Sequence, residues 1–434
     1  MGYLTAQGII VAGLVTPRFN DSAGYMDLSF DGKAVDLWTV PLLYKIIPTE
    51  PTRIAAQVVL AACCWWVLAS AAAQLVNNPR IRLGLRITLL ALGLVGPIAS
   101  WNSTILSEST AISLTVLLIG CWIRYRRRPG WLSMATVLAV TLFWTCTKNE
   151  YVLIGLVIAL SVAATTLWHG RTTLKIVLAV GLVVISTYDL VIVNRDLHAT
   201  NVTVAGIIQN RVLQNPDWTR WFVAHGMPYS AAIQDTQGGA YGTALMAIPS
   251  FESWLKHDGA KTYLKFMLDH PAYSLWAPLP YFSGEEASVQ WPNRSPYPLS
   301  VHPNPTPSML SPDANYGRHR DVLPAVVEGL LFEQGQAGDV LLLAFTAFGL
   351  AWVAREKFGR DRRMLIPIIV TLLVIPDGYL VWLTGGDGEL DRHSITMAVS
   401  VRVGLWIILA LALDRLIEAR RSTPPQPEPV EPLA

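Results

Sequence analysis

The arginine and lysine residues of this chain are concentrated in every second connection between long apolar runs, and this alternation constrains the fold more than any other feature. Basic groups lie around 80–86, 124–128, 171–175, 355–363 and 415–421, whereas the short connections between them are nearly free of Lys and Arg. Connections rich in Lys and Arg lie on the cytoplasmic side of a membrane. The pattern therefore predicts a multi-pass protein of the cell membrane with both termini in the cytoplasm.

The apolar runs are long enough for transmembrane helices, each of which needs about 20 mostly apolar residues. Only 15% of the residues are charged, against about 25% in soluble globular chains. The candidate spans are 3–16, 54–76, 87–101, 107–123, 131–147, 151–168, 175–194, 338–354, 364–383 and 395–413. We therefore predict an all-α polytopic membrane protein with about ten transmembrane helices, of which the first is short.

This topology divides the chain into segments on the two sides of the membrane. The predicted units are an N-terminal transmembrane module at 1–194 with a first outer loop at 17–53, an extracytoplasmic cap segment at 195–337, C-terminal transmembrane helices at 338–413 and a disordered cytoplasmic tail at 414–434. Within the cap segment, Phe251, Trp254, Tyr263 and Phe266 recur at helical spacing, which predicts an amphipathic helix. The cap segment is too long for a simple connector, so we expect it to pack over the outer membrane face.

Charge and cysteine content exclude several classes of function. The net charge of +2 gives no basis for nucleic-acid binding. The four cysteines lie inside or at the ends of apolar runs, without the spacing of a metal site or a disulfide framework. Membrane lipids are therefore the partners that composition supports.

Acidic residues mark the predicted outer face. Asp21 follows the first span directly, within reach of a lipid headgroup, and Glu150 lies in another outer turn. Glu108 begins a helix, where its charge would interact favourably with the helix dipole, so helix capping alone accounts for it equally well. Asp377 lies within an apolar run toward its outer end, where a carboxylate usually faces a polar cavity or a partner. For Asp27 we favour a solvated loop.

Basic residues are scarce on the same face. Lys148 lies in the turn before Glu150, and Arg392 and His393 lie at the start of the last span. These groups could hold a phosphate, because a leaving anion needs positive charge or hydrogen-bond donors. Alternatively, Lys148 extends to the membrane interface, and His393 is an ordinary residue of a helix N-terminus.

Four stretches, in order along the chain, resemble one family. They are "LWTVPLLYKIIP", "SWNSTILSESTAISL", "ESWLKHDGAKTYLKFMLDHPAYSL" and "LDRHSITMAVSVRVGLWIIL". Together with Asp21 and Tyr25, four residues apart in the first outer loop, they resemble the GT-C superfamily of membrane glycosyltransferases. The resemblance covers about 17–413 and is closest to uncharacterised actinobacterial members.

The resemblance implies a GT-C-like fold and transfer of a sugar from a polyprenyl-phosphate donor to a cell-envelope glycan, lipid or protein. It implies that Asp21 is the general base. From the outward position of the other residues we expect Glu108 to belong to the catalytic site with Asp21. The expected substrate-binding residues are Tyr25, Glu150 and Asp377 in the pocket and Lys148, Arg392 and His393 at the leaving phosphate. Ser22 stands where many members have a second acid, so the paired-acid motif is incomplete. Some branches hold a divalent cation, Mg²⁺ or Mn²⁺, between acids equivalent to Asp21 and Glu108, which leaves metal use open.

Three other functions compete with this interpretation. A transporter usually has inverted repeats and charges near the bilayer midplane, and the sequence has no detectable repeat. A polymerase or ligase of lipid-linked glycans would use the same outer acids and the same class of donor. A non-catalytic subunit of envelope assembly is consistent with the incomplete acid pair.

The predicted sidedness can be tested with reporters inserted into the full chain. Alkaline phosphatase, which is active only outside the cytoplasm, should be active after Tyr25 and inactive after Arg128, because of these two connections only the one with Arg128 carries an arginine cluster. Green fluorescent protein should give the reverse pattern. Phosphatase activity at Arg128, or its absence at Tyr25, would contradict the topology.

Overall fold

The computed structural model describes residues 1–12, 20–32, 36–168, 172–193, 197–238, 242–278, 322–332, 362–384 and 390–422. All regular secondary structure within these ranges is helical, which confirms the all-α prediction for them. The predicted span 338–354 lies outside the described residues.

The first half of the chain contributes α1 (Gly2–Val11), a 3₁₀ helix (Asn20–Met26), α2 (Thr39–Ile46), α3 (Glu50–Ala73), α4 (Pro79–Leu92), α5 (Gly96–Ala99), a 3₁₀ helix (Ser100–Ser103), α6 (Glu108–Arg127), α7 (Trp131–Thr145), α8 (Asn149–Trp168) and α9 (Thr173–Val193). The second half contributes α10 (Leu197–Ile207), α11 (Pro216–Ala224), α12 (Ala231–Gln234), α13 (Thr243–Met246), α14 (Pro249–Trp254), α15 (Ala260–Asp269), α16 (Pro271–Leu275), α17 (Ala325–Leu331), α18 (Leu365–Leu372), α19 (Val374–Thr384) and α20 (Leu390–Ser422). Two π-helical turns, Ile208–Val212 and Leu255–Gly259, and a 3₁₀ turn, Arg362–Met364, complete the helical elements.

Several of these helices could cross a membrane. Four helices among the described residues, α3, α8, α9 and α20, are long and apolar enough, and α4 with α5 and the following 3₁₀ turn makes a fifth if this bent pair is one span. Helices α1 and α7 are apolar but shorter. The surface of α9 exposes Val180, Val184 and Val191, as expected for side chains that face lipid.

The structure differs from the predicted spans in three places. The predicted span 87–101 is interrupted, because α4 ends at Leu92 and α5 starts at a bend of 57°. Pro97 at the start of α5 lacks the N–H that a continuous helix requires. The predicted span 364–383 is divided between α18 and α19, and α20 continues to Ser422, beyond the predicted span end at 413.

The interruption between α4 and α5 is filled by other helices. Gln7 of α1 donates from Nε2 to the carbonyl of Gly93 at 2.6 Å, and Nδ2 of Asn102 donates to Oε1 of Gln7 at 3.0 Å. A Cβ on Gly93 would lie 2.4 Å from the Tyr3 hydroxyl and 2.6 Å from the Trp65 ring, so glycine allows α1 and α3 to approach. The carbonyl of Gly93 at the interruption therefore accepts a hydrogen bond from a side chain of another helix.

The core of the bundle lies where α3, α4, α6 and α20 meet. Small residues allow these helices to pack closely. A Cβ on Gly120 of α6 would lie 3.1 Å from the Cα of Leu68 of α3, so the two helices cross closely. Close backbone approach through small residues is the usual way in which membrane helices pack, because lipid offers no hydrophobic driving force between them.

The connections that contain arginines lie together at one end of the bundle. Asp414 of α20 is fully buried and accepts from the backbone N–H groups of Asn77 and Asn78 at 2.9 and 2.8 Å. Its Oδ2 lies 3.6 Å from Nη1 of Arg363. Burial, together with the positive charges of nearby arginines that include Arg82 and Arg363, lowers the pKa of Arg127. Arginines from separate connections therefore meet at the same end.

The described part of the cap segment has a hydrophobic core of its own. Phe222, Phe251 and Phe266 are fully buried in it. The predicted amphipathic helix is confirmed, although it is divided into α14, a π-helical turn and α15. The core is joined to α19, because Arg211 stacks over the Trp382 ring at 4.0 Å and donates to the Trp382 carbonyl at 2.6 Å.

Gly32 offers a test of how the first outer loop packs on the bundle. Its φ is +78°, and a Cβ would lie 2.4 Å from the carbonyl oxygen of Ile192 at the end of α9. Gly238 has a similar φ of +75° but no atom within 4 Å of a Cβ. Both alanine variants incur the left-handed penalty of about 1–2 kcal/mol, whereas only Gly32→Ala adds a clash. Thermal unfolding of the detergent-solubilised protein should therefore show a larger loss of stability for Gly32→Ala, and equal losses would contradict the packing.

Candidate functional site

A buried cluster of three charged side chains, named here the Lys148 cluster, lies at the end of the bundle opposite Asp414. Nζ of Lys148 lies 3.1 Å from Oε1 of Glu108 and 3.8 Å from Oε1 of Glu150. The exposed fractions of the Lys148, Glu108 and Glu150 side chains are 4%, 0% and 9%. The structure therefore brings together three of the residues that the sequence selected.

Two helix starts create the Lys148 cluster. Glu108 is the first residue of α6 and Glu150 is the second residue of α8, so each carboxylate lies at a helix N-terminus. The positive end of each helix dipole stabilises the adjacent carboxylate. Lys148 immediately precedes α8 and lies between the two acids.

Burial changes the interpretation of Lys148. Its ammonium is enclosed between two carboxylates and does not extend to the membrane interface. A buried charge needs a partner, because its desolvation costs several kcal/mol. The charge of Lys148 is therefore already balanced, which reduces its capacity to hold a phosphate.

The 3₁₀ helix that contains Asp21 is fixed directly onto the loop before Glu108. The hydroxyl of Ser22 donates to the carbonyl of Ile105 at 3.0 Å, and the hydroxyl of Tyr25 donates to Oγ of Ser107 at 3.1 Å. Both Ser22 and Tyr25 are buried. The side chain of Asp21 lies outside the description, but its backbone is held next to Ser22, beside the start of α6.

Polar residues of α2 and α3, which the sequence analysis did not select, support this loop. The Tyr44 hydroxyl lies 2.9 Å from Oε1 of Gln57 and 3.1 Å from the carbonyl of Leu106. Nε2 of Gln57 donates to the carbonyls of Asn102 and Thr104, each at 2.9 Å. Gln57 could have been found from the sequence, because it is an amide inside an apolar run. Polar groups within a span usually face a partner.

The pKa of Tyr44 reflects this environment. Burial raises the pKa of its hydroxyl well above the usual range, and the negative charge of nearby Glu108 raises it further, while Arg53 opposes the shift. Arg53 lies over the Tyr44 ring at 5.1 Å and donates to the Tyr44 carbonyl at 3.0 Å. Tyr44 therefore stays protonated and keeps its hydrogen-bonding role beside the Lys148 cluster.

The start of α20 lies near the same place. The hydroxyl of Tyr151, the residue after Glu150, donates to Oγ1 of Thr396 at 2.8 Å. Arg392 and His393 precede Thr396 by about one helical turn on α20. Their side chains, and that of Asp377 in the first turn of α19, are outside the described part of the chain. The backbone thus places Arg392 and His393 on the helix that contacts the residue next to Glu150.

The described residues do not fit a divalent cation at Glu108. The ammonium of Lys148 already lies beside Oε1 of this carboxylate. Within the described ranges, no group of three or more His, Cys, Asp and Glu side chains is arranged to hold a metal ion.

No family model, curated protein or solved structure matches this chain. The function must accordingly be argued from the residues and their geometry.

The Lys148 cluster predicts an unequal response to loss of two lysines. Lys148→Met removes the ammonium that lies beside the buried carboxylates of Glu108 and Glu150, and breaking a buried pair costs about 3–5 kcal/mol. Lys256→Met removes an exposed partner of Glu252, which lies 2.6 Å away, and should cost about 0–1 kcal/mol. Both can be measured by thermal unfolding in detergent.

A second substitution separates charge from packing. Adding Glu108→Gln to Lys148→Met removes one of the two carboxylates near Lys148, so the double variant should recover part of the lost stability. If Lys148→Met is no more destabilising than Lys256→Met, the ion pairs of the Lys148 cluster do not stabilise the fold.

Proposed function

We propose that this chain is an integral membrane glycosyltransferase that transfers a sugar from a polyprenyl-phosphate donor to a cell-envelope acceptor on the extracytoplasmic face. The observation that carries the proposal is the attachment of the Asp21-bearing 3₁₀ helix, through Ser22 and Tyr25, to the loop that precedes Glu108. This attachment puts the backbone of the proposed base beside a buried acidic group. The acidic group lies at the end of the bundle opposite the arginines, where an outward-facing site is expected.

The proposed reaction needs one proton acceptor. Asp21 takes the proton from the acceptor hydroxyl while the hydroxyl oxygen forms a bond to the anomeric carbon. The bond between that carbon and the phosphate oxygen breaks, and polyprenyl phosphate leaves from the opposite face with inversion. A general base positioned in this way typically contributes 10²–10⁴-fold to the rate.

The remaining residues have supporting roles in this proposal. Glu108 and Glu150 form the acidic wall beside Asp21, and Lys148 holds both in place. Arg392 and His393, on the first turns of α20, supply the charge and donors that stabilise the leaving phosphate. Tyr25 fixes the first outer loop. Asp377 belongs to the pocket in this proposal, because a carboxylate within an apolar run usually faces a polar cavity or a partner.

The broader architecture belongs to the same proposal. The four or five candidate spans of the described residues support a membrane protein. The shorter helices α1 and α7, the divided pair α18 and α19, and the predicted span 338–354 would extend this set toward a GT-C-like bundle of about ten passes. Separation of the Asp414 end from the Lys148 cluster supports cytoplasmic termini.

Replacement of Asp21 tests the proposal most directly. Asp21→Asn should lower turnover at least 10²-fold, because the amide cannot accept the proton, with little change in KM for the donor. Asp27→Asn is the matched control, since Asp27 is an exposed acid of the same loop, and it should retain activity. The assay measures transfer of labelled sugar from a set of polyprenyl-phosphate donors to envelope fractions.

The outcomes distinguish the competing functions. Equal activity of Asp21→Asn and the unaltered chain would remove the assignment of the base. No transfer by the unaltered chain with any donor of the set would favour a transporter or an assembly subunit. Deletion of the gene should also decrease the mass of one envelope polymer by a sugar increment.

A further inference from the structure

The described part of the cap segment has an exposed surface that combines leucines, a tryptophan and lysines, named here the basic-apolar face. The exposed fractions of Leu264, Leu268, Leu275 and Trp276 are 56%, 73%, 55% and 65%. Lys261 and Lys265 are exposed on the same helix, α15. Large apolar side chains grouped on a surface indicate an interaction site.

The order of side chains around α15 gives this face a direction. Tyr263 points to the bundle, because its hydroxyl donates to the carbonyl of Leu383 at the end of α19 at 2.9 Å. Successive residues rotate by about 100° around a helix. Leu264 and Leu268 therefore form a stripe next to the bundle-facing side, and Lys261 and Lys265 lie beyond that stripe.

Contacts with α19 fix where the basic-apolar face lies along this helix. The hydroxyl of Tyr379 donates to the carbonyl of Leu275 at 2.7 Å. Tyr379 precedes Leu383 by about one turn, or about 6 Å along the helix. Leu275 thus lies nearer the middle of the apolar helix α19 than the contact made by Tyr263. Trp276 follows Leu275 directly, and tryptophans concentrate at the interface between headgroups and acyl chains in membrane proteins.

We propose that the basic-apolar face rests on the lipid surface beside α19. Leu264, Leu268, Leu275 and Trp276 enter the boundary between headgroups and acyl chains, and Lys261 and Lys265 bind phosphates of anionic lipids. This is the arrangement of an interfacial amphipathic helix, with an apolar side in lipid and lysines at the headgroups. Asp269 is also exposed on α15, but among the described residues no carboxylate forms an ion pair with Lys261 or Lys265. The proposal requires a membrane-spanning bundle and is independent of sugar transfer.

Immersion can be measured with spin labels on the full chain in bilayers of phosphatidylcholine and phosphatidylglycerol. Cys63→Ser removes the exposed cysteine, since the other three are buried. Labels are placed at Leu268→Cys and, as a control, at Arg220→Cys, an exposed position of α11 in the same cap segment. The label at 268 should be accessible to oxygen and shielded from an aqueous nickel chelate, whereas the label at 220 should show the reverse.

Two results would overturn the proposal. Equal access of the nickel chelate to positions 268 and 220 would show that the face is in water. Shielding of position 268 from both reagents would show that protein covers it, either residues 279–321 or a second copy. The lysines are tested by adding Lys261→Gln and Lys265→Gln, which should make the label at 268 shallower with phosphatidylglycerol and leave it unchanged in phosphatidylcholine alone. An unchanged depth in both would remove their role.

Discussion

A cation enclosed between two carboxylates in the interior of the protein is the interaction on which this end of the structure depends. Lys148 cannot be buried without Glu108 and Glu150, because an unpaired charge away from water is strongly unfavourable. The start of α6 and the start of α8 are therefore held at one place. The loop before Glu108 becomes a fixed surface, onto which Ser22 and Tyr25 attach the first outer loop.

At the opposite end of the bundle the buried charge is an anion, and it too has partners of opposite charge or hydrogen-bond donors. Asp414 is a buried anion, and its partners are the backbone N–H groups of Asn77 and Asn78 and the guanidinium of Arg363. It joins the connection after α3, the residues before α18 and the helix α20. Buried charges thus fix both ends of the bundle, while apolar packing of α3 against α6 fills the space between them.

Local features of the sequence predicted local features of the structure well. Hydropathy located α3, α8, α9 and α20, and the spacing of Phe251, Trp254, Tyr263 and Phe266 located the amphipathic part of the cap segment. Hydropathy averages over a window, so it did not separate α4 from α5 or α18 from α19. The single-residue signal was Pro97, which lacks a backbone N–H.

Contacts between residues that are far apart in the sequence could not be predicted from local sequence patterns. The sequence selected Glu108, Lys148 and Glu150 one by one, but their ion pairs depend on how α6 and α8 pack. Tyr44 and Gln57 were missed, since nothing local connects them with the loop before Glu108.

The contact between Gln7 and Gly93 has a consequence for biosynthesis. Gln7 leaves the ribosome long before the carbonyl that completes its hydrogen bonding, because 86 positions separate the two. In the interval α1 has a polar amide without its final acceptor, in a helix of ten residues. Until Gly93 has been synthesised, the hydroxyl of Tyr3 in the same helix is the acceptor that the Gln7 amide retains. The final position of α1 is therefore fixed only after α4 has been made.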